Sequence, residues 1–136
     1  MLKKIFFIID LWRAYSLANS DIEKALFFLN RNSDEAEKYK NKFPDYYILK
    51  GSLNFDLENY SEAQKNLELA TELLISNEYY SVDEKKYLYI YIYIYLSNIL
   101  HKNNNSEWSV FDELSKRKNF DINKVRKNLK NNFPHS

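Results

Sequence analysis

Cysteine is absent from this chain, glycine occurs once, and proline and histidine occur twice each in 136 residues. Without cysteine there is no disulfide framework, no thiolate nucleophile and no thiolate zinc site, a composition that suits a reducing compartment. His101 and His135 are too few and too far apart for a two-histidine metal pair or a serine–histidine–aspartate set. His101 falls near a predicted helix end, where it complements the dipole. A single glycine, Gly51, excludes glycine-rich phosphate loops. These absences leave no cofactor, no metal and no reaction to assign, and the chain reads as non-enzymatic. Scarce glycine and proline also argue against sandwiches and barrels, which need many tight turns; clusters of Asn, Asp and Ser supply the breaks instead, and an all-α fold is expected.

Long apolar runs are missing too. Lys3 and Lys4 precede an apolar stretch, but Asp10 interrupts it after Ile5–Ile9, short of the roughly 7–15 residues a secretory signal requires. The Tyr/Ile stretch near residue 90 falls well below the ~20 residues of a membrane span. A cytoplasmic protein with no membrane partner is the expectation. The hydrophobic share of 45% and charged share of 29% are those of a globular chain rather than a disordered one. Residues 1–136 read as one domain, with a frayed tail after Phe133.

The richest apolar stretch, Ser81–Leu100, alternates Tyr87, Tyr89, Tyr91, Tyr93 and Tyr95 with Leu88, Ile90, Ile92, Ile94 and Leu96. That is a strand's period, and Lys3–Ile9 is its only plausible strand mate. Its length, the Ser81/Glu84 capping box and helical patterns on both sides favour a central buried helix. The aromatic ladder has no interleaved lysines, so it reads as core rather than as a base-stacking platform.

Around it, periodicity predicts about eight helices. The first covers Leu2–Leu17, with Ile5, Ile9, Trp12 and Tyr15 or Ser16 on its inner face. Capping boxes at Ser20/Glu23 and Ser61/Gln64 open a second and a fifth helix, the latter with Ala63, Leu67, Ala70 and Leu74 in line. Ser33 caps a short third helix in which Ala36, Tyr39 and Phe43 share a side, and Asp45–Leu57 forms the fourth. A seventh starts at Ser106 with Trp108, Phe111 and Leu114, and an eighth at Asp121 with Ile122, Val125 and Leu129. Short connections imply stacked antiparallel helical hairpins.

Residues Tyr47 to Ala70, YILKGSLNFDLENYSEAQKNLELA, resemble one tetratricopeptide repeat. Tyr47 is its bulky first-helix residue, Gly51 its small residue at the helix crossing, Tyr60 precedes the end of the turn, and Ala63, Leu67 and Ala70 keep its small-large-small spacing. Ile9–Leu29 is a degenerate copy. The resemblance implies a TPR-like curved stack with a concave groove faced by Ile48, Ser52, Phe55 and Asp56, working as an adaptor or chaperone. The family's clamp for C-terminal carboxylates uses Lys and Asn where this chain has Ile48 and Ser52. Gly51 should then be a close-crossing position that tolerates alanine but not leucine.

The net charge of +1 hides a segregation. Lys116, Arg117, Lys118, Lys124, Arg126, Lys127 and Lys130 face only Asp121 near the C-terminus. Asp56, Glu58, Glu62, Glu68, Glu72, Glu78, Asp83 and Glu84 face only Lys65 between Gly51 and Glu84. Glu68 and Glu72 lie opposite the Ala63–Leu74 line, a solvated face rather than an acid–base pair. With Ile48, Ser52, Phe55 and Asp56 they form the expected partner surface, and its partner is another protein, a basic one. An immunity protein or antitoxin that neutralises a basic toxin or nuclease is the alternative, and nucleic-acid binding through Lys116–Lys130 the second alternative. Oligomeric state stays open, a dimer included.

Overall fold

The Tyr/Ile stretch is a helix. In the computed structural model, which describes residues 2–102 with side chains through Ile99, the chain forms α1 (Leu2–Leu17), α2 (Ile22–Asn30), α3 (Ser33–Lys38), α4 (Asp45–Asp56), α5 (Tyr60–Ile75) and α6 (Val82–Lys102). The described residues contain no strand. The expected seventh and eighth helices, the basic segment Lys116–Lys130, the tail after Phe133, His135 and the side chain of His101 lie outside the described residues.

The predicted capping box at Ser81 forms in both directions: Glu84 N–H donates to Ser81 Oγ and Ser81 N–H to Glu84 Oε1, each at 3.1 Å. Helical winding then draws the buried face from both sets of the alternating pattern, Leu88, Tyr91, Ile92, Tyr95 and Ile99. Tyr87 and Tyr93 are left outside, Tyr93 stacked on Tyr89. Upstream, Asn77 sets the entry angle. Its Oδ1 accepts from the N–H groups of Tyr79 and Tyr80, and its Nδ2 donates to the Asn41 carbonyl 36 positions back.

α4 and α5 make the most extensive contact, α1 pairs with α2, α2 packs on α4, and α6 packs on both α5 and α4. Gly51 and its neighbours Leu67 and Ala63 lie about equally far from the turn, as antiparallel packing requires, and Ala63, Leu67, Ala70 and Leu74 are all fully buried as expected. The turn is a Schellman motif: Glu58 N–H donates to the Phe55 carbonyl and Asn59 N–H to the Asn54 carbonyl. Glu58 occupies the left-handed position at φ 62°, usually glycine's place.

Three expected helix starts shift. Asp21, not Ser20, caps α2 by accepting from Lys24 N–H; both neighbours can cap, and Asp21 is the one outside the first helical residue. α5 begins at Tyr60, so Ser61 is already helical and Gln64 donates to Glu68 instead of closing a box. α3 starts at Ser33 itself, with Asn32 rather than Ser33 at the N-cap position, and it ends at Lys38, so Tyr39 caps it and Phe43 joins the core from the following turn.

The inner face of α1 is also corrected. Phe7, Leu11, Ala14 and Tyr15 point inward, while Ile5, Ile9 and Trp12 are 46%, 40% and 46% exposed. Phe7 meets Phe43 and Tyr46 edge-on, at 5.6 and 5.9 Å between ring centroids. Because α1 is apolar nearly all round, its periodicity has two solutions; small Ala14 and Ala18, both fully buried, allow close approach on one of them.

A buried acid marks the centre of the stack. Asp45, fully buried in the first turn of α4, faces Tyr15 of α1 and Tyr80 from the loop before α6. Burial, then the charge of Asp45, pushes both phenols far above their ordinary range. Tyr46 ties α4 to α2 by donating its hydroxyl to the Leu29 carbonyl at 2.7 Å.

Candidate interaction surfaces

The outward side of α1 follows from its sequence. Leu2, Phe6 and Ile9 recur at helical spacing, with Ile5 and Trp12 beside them, on the side opposite Phe7, Leu11 and Ala14. They are exposed, Leu2 at 68% and Phe6 at 57%; Phe27 of α2, 58% exposed, lies under the Arg31 guanidinium.

What holds this face in place is an ionic clamp below it. Asp10, itself buried, accepts from Arg31 Nε and Nη2, both at 2.8 Å, and from Asn32 Nδ2 at 2.7 Å. Arg13, one turn along α1, comes within 3.6 Å of the same carboxylate. Burial alone would raise the Asp10 pKa; the hydrogen bonds from Arg31 and Asn32, with the charges of Arg31 and Arg13, outweigh it and hold the carboxyl below its usual value. Arg31 is bidentate and planar, so it also lies over the rings of Phe27 and Phe28, 5.4 and 4.9 Å from their centroids, and Arg13 lies over Phe28 at 5.7 Å. Asn32 Nδ2 also donates to the Phe28 carbonyl, which fixes the end of α2. The result is a cleft lined by Phe6, Ile9, Asp10, Arg13, Arg31 and Asn32, with apolar walls and half-exposed guanidinium groups at its rim. No known protein family, curated protein or solved structure matches this chain.

The residues expected to bind a partner divide between interior and surface. Ile48 and Ser52 are fully buried, and Ser52 Oγ donates to the Leu49 carbonyl. Together with Phe55 they share one face of α4 at i, i+4, i+7; Phe55, half-buried, meets Tyr95 of α6 at 5.1 Å and Tyr60 at 5.4 Å, so that face belongs to helix packing. Asp56 is exposed at the end of α4. Glu68 and Glu72 are exposed on α5, where they line a shallow groove with Ser61, Gln64, Lys65 and Leu69. The six therefore do not form one site.

Leu2, Phe6, Phe27 and Arg31 are the surface residues that sequence reasoning missed. The available signal was the Phe6–Phe7 pair, since adjacent helical residues point about 100° apart. As to chemistry, the buried Asp45–tyrosine group is sealed from solvent, and no described helix is long and apolar enough to cross a membrane.

Proposed function

We propose that this chain is a non-enzymatic protein–protein interaction module, a small adaptor or chaperone built from stacked helical hairpins in the tetratricopeptide manner. Two hairpins, α1/α2 and α4/α5, followed by α6 laid on the second of them, support the TPR-like arrangement. The observation that supports the function is the exposed apolar face of α1. Its five side chains and Phe27 present roughly 600 Å2 of apolar surface, if a bare aromatic offers ~150–250 Å2, and the largest patch on a typical monomer is about 300–600 Å2. Such a face costs solubility in the free protein and is relieved by a partner. A photo-crosslinking residue at Phe6 or Ile9 should trap one discrete protein adduct in the native cell, while the same residue at exposed Lys86 should trap none. Absence of a discrete adduct at both α1 positions would sink the proposal.

The acidic face of α5 supports a second reading, in which a basic protein binds Glu68 and Glu72. A basic toxin or nuclease neutralised by an immunity protein or antitoxin is one such partner. Both carboxylates are exposed and point away from the Ala63–Leu74 line. Rim charges act mainly on association, so Glu68→Lys/Glu72→Lys should slow binding and flatten its salt dependence with the fold intact. Unchanged association kinetics would rule this face out.

A further inference from the structure

We infer that the cleft where α3, α4 and α5 meet is a binding site for a small zwitterion, an apolar α-amino acid whose carboxylate is taken by Lys50 and Lys65 and whose ammonium is taken by Glu62 and Asn66. The close crossing at Gly51 builds it. A Cβ at Gly51 would run into Leu67 and reach the Ala63 carbonyl, so the residues one place earlier, Lys50 on α4 and Glu62 and Asn66 on α5, come to the same side of the hairpin. Ser33 and Glu37 of α3 close the third side, and Tyr47 and half-buried Leu69 supply apolar wall. The volume is about 290 Å3, just below the ~300 Å3 where sites for drug-sized ligands begin, which suits a molecule of amino-acid size. No residue of α1 lines the cleft, so it is separate from the exposed stripe of that helix.

The charges in the cleft share its walls without pairing. Lys50, half-buried, has no ion-pair partner among the described residues and holds its Nζ 5.7 Å from the centroid of the Tyr46 ring; Lys65 has no ion-pair partner among them either. Asn66, 6% exposed, donates Nδ2 to the Glu62 carbonyl at 2.8 Å and to Glu62 Oε2 at 3.2 Å. Two acceptors on one nitrogen fix the orientation of the amide, and Asn66 Oδ1 and Glu62 Oε1 are left with no donor among the described residues. α3 adds one acid to the lining, Glu37, and both of its oxygens are taken, by Lys40 Nζ at 2.8 Å and the Tyr47 hydroxyl at 3.3 Å; Asp34 and Glu35 of the same helix lie outside the lining. Two lysines and two carboxylates make the lining formally neutral. A simple anion therefore loses to Glu62 and Glu37 what it gains from the lysines, and a simple cation the reverse, whereas a zwitterion meets both signs. Its orientation follows from the groups left over: Asn66 Oδ1 and Glu62 Oε1 can only accept and take the ammonium, and the lysines can only donate and take the carboxylate.

The test is an NMR titration of the full isotope-labelled chain with L-leucine, followed at the side-chain amide of Asn66 and the backbone amides of α4 and α5. Two one-sided analogues run beside it: isocaproate, which lacks the ammonium, and isoamylamine, which lacks the carboxylate. Leucine should give saturable shifts centred on Asn66, in roughly the millimolar range for so few atoms, and each analogue should bind about tenfold more weakly because it leaves one set of charged groups unmet. Lys50→Met/Lys65→Met keeps both side-chain stems, and it should weaken leucine about tenfold and narrow its advantage over isoamylamine. Glu62→Gln should narrow the advantage over isocaproate instead. Lys65→Met alone, at an exposed position, gives the same direction of change where the double variant does not fold. Equal affinity for the three molecules, shifts that grow without saturating, or leucine binding that survives the lysine and glutamate substitutions unchanged overturns the inference. None of these outcomes bears on the interaction face of α1, which stands or falls by the crosslinkers at Phe6 and Ile9.

Discussion

Gly51 offers the sharpest test of the packing, because the structure reverses what its sequence context suggests. In mid-helix, alanine is favoured over glycine by about 1 kcal/mol, which makes Gly51→Ala neutral or stabilising on propensity alone. A Cβ at Gly51, however, would lie 2.6 Å from Leu67 Cγ, 2.8 Å from Leu67 Cδ2 and 3.3 Å from the Ala63 carbonyl oxygen. Leu67 is fully buried and its Cγ cannot swing aside, and the carbonyl is backbone. Overpacking of this kind costs about 1–3 kcal/mol, so the net effect of Gly51→Ala should be a loss of about 1 kcal/mol. Leu67→Ala alone should cost about 2–5 kcal/mol through the cavity it leaves. In that background the new methyl enters the void, and Gly51→Ala should become stabilising by about 1 kcal/mol, a coupling of about 2 kcal/mol. Urea unfolding of the four proteins followed by far-ultraviolet circular dichroism measures the cycle. Additivity within about 0.5 kcal/mol, or a Gly51→Ala protein more stable than the parent, would refute the close crossing of α4 and α5.

Glu58→Gly should stabilise by about 1 kcal/mol, since glycine adopts the left-handed position of the Schellman turn without a Cβ penalty; an unchanged urea midpoint would count against that strain. Asp10 has a folded pKa below its unfolded value, so its stabilisation is present above about pH 4 and lost as pH falls through the folded pKa; Asp10→Asn should flatten that acid limb of the stability profile. The buried phenols shift the other way. Burial, with help from Glu37, pushes Tyr47 up to about 12, and burial raises Tyr15, Tyr46 and Tyr80 further, so the folded state holds protons that the unfolded chain has released above about pH 10. Stability should therefore fall as pH rises from about 10 to 12, and the phenolate absorbance of these groups should appear together with loss of helix; a phenolate at Tyr15, Tyr46 or Tyr80 in the fully helical protein would contradict their burial.

What the sequence made legible is what local rules decide. The Ser81–Glu84 cap overrode a strand-like alternation because a helix can bury residues of both alternating sets, which a strand with one solvated face cannot. Likewise the Ala63–Leu67–Ala70–Leu74 line and Gly51 announced the α4–α5 crossing through small-large-small spacing. What stayed hidden depends on distant partners. The α1 face is chosen by an ion pair between Asp10 and Arg31, 21 positions apart, and no periodicity contains it. Ile48 and Ser52 match the groove positions of the resemblance, but the helix that meets their face, α6, begins 30 residues after Ser52. Two adjacent candidates for capping, Ser20 and Asp21, left a helix start ambiguous by one residue.

The exposed face of α1 also makes a prediction about folding that separates a binding surface from a misplaced core. Phe6 is 57% exposed and Ile9 40%, whereas Phe7, Leu11 and Ala14 are at 1% or below. If the outward stripe serves the fold, Phe6→Lys removes buried apolar area and costs several kcal/mol, as core truncations do. If it serves a partner, the substitution removes little buried area, replaces an aromatic with a better helix former, and should lie within about 0.5 kcal/mol of the parent. Phe7→Ala, on the same turn, should cost about 3–5 kcal/mol. Unfolding midpoints of the two single variants decide between these: a Phe6→Lys protein as damaged as Phe7→Ala would show that the outer stripe is buried in the free molecule, and the interaction face would have to be sought on α5 instead.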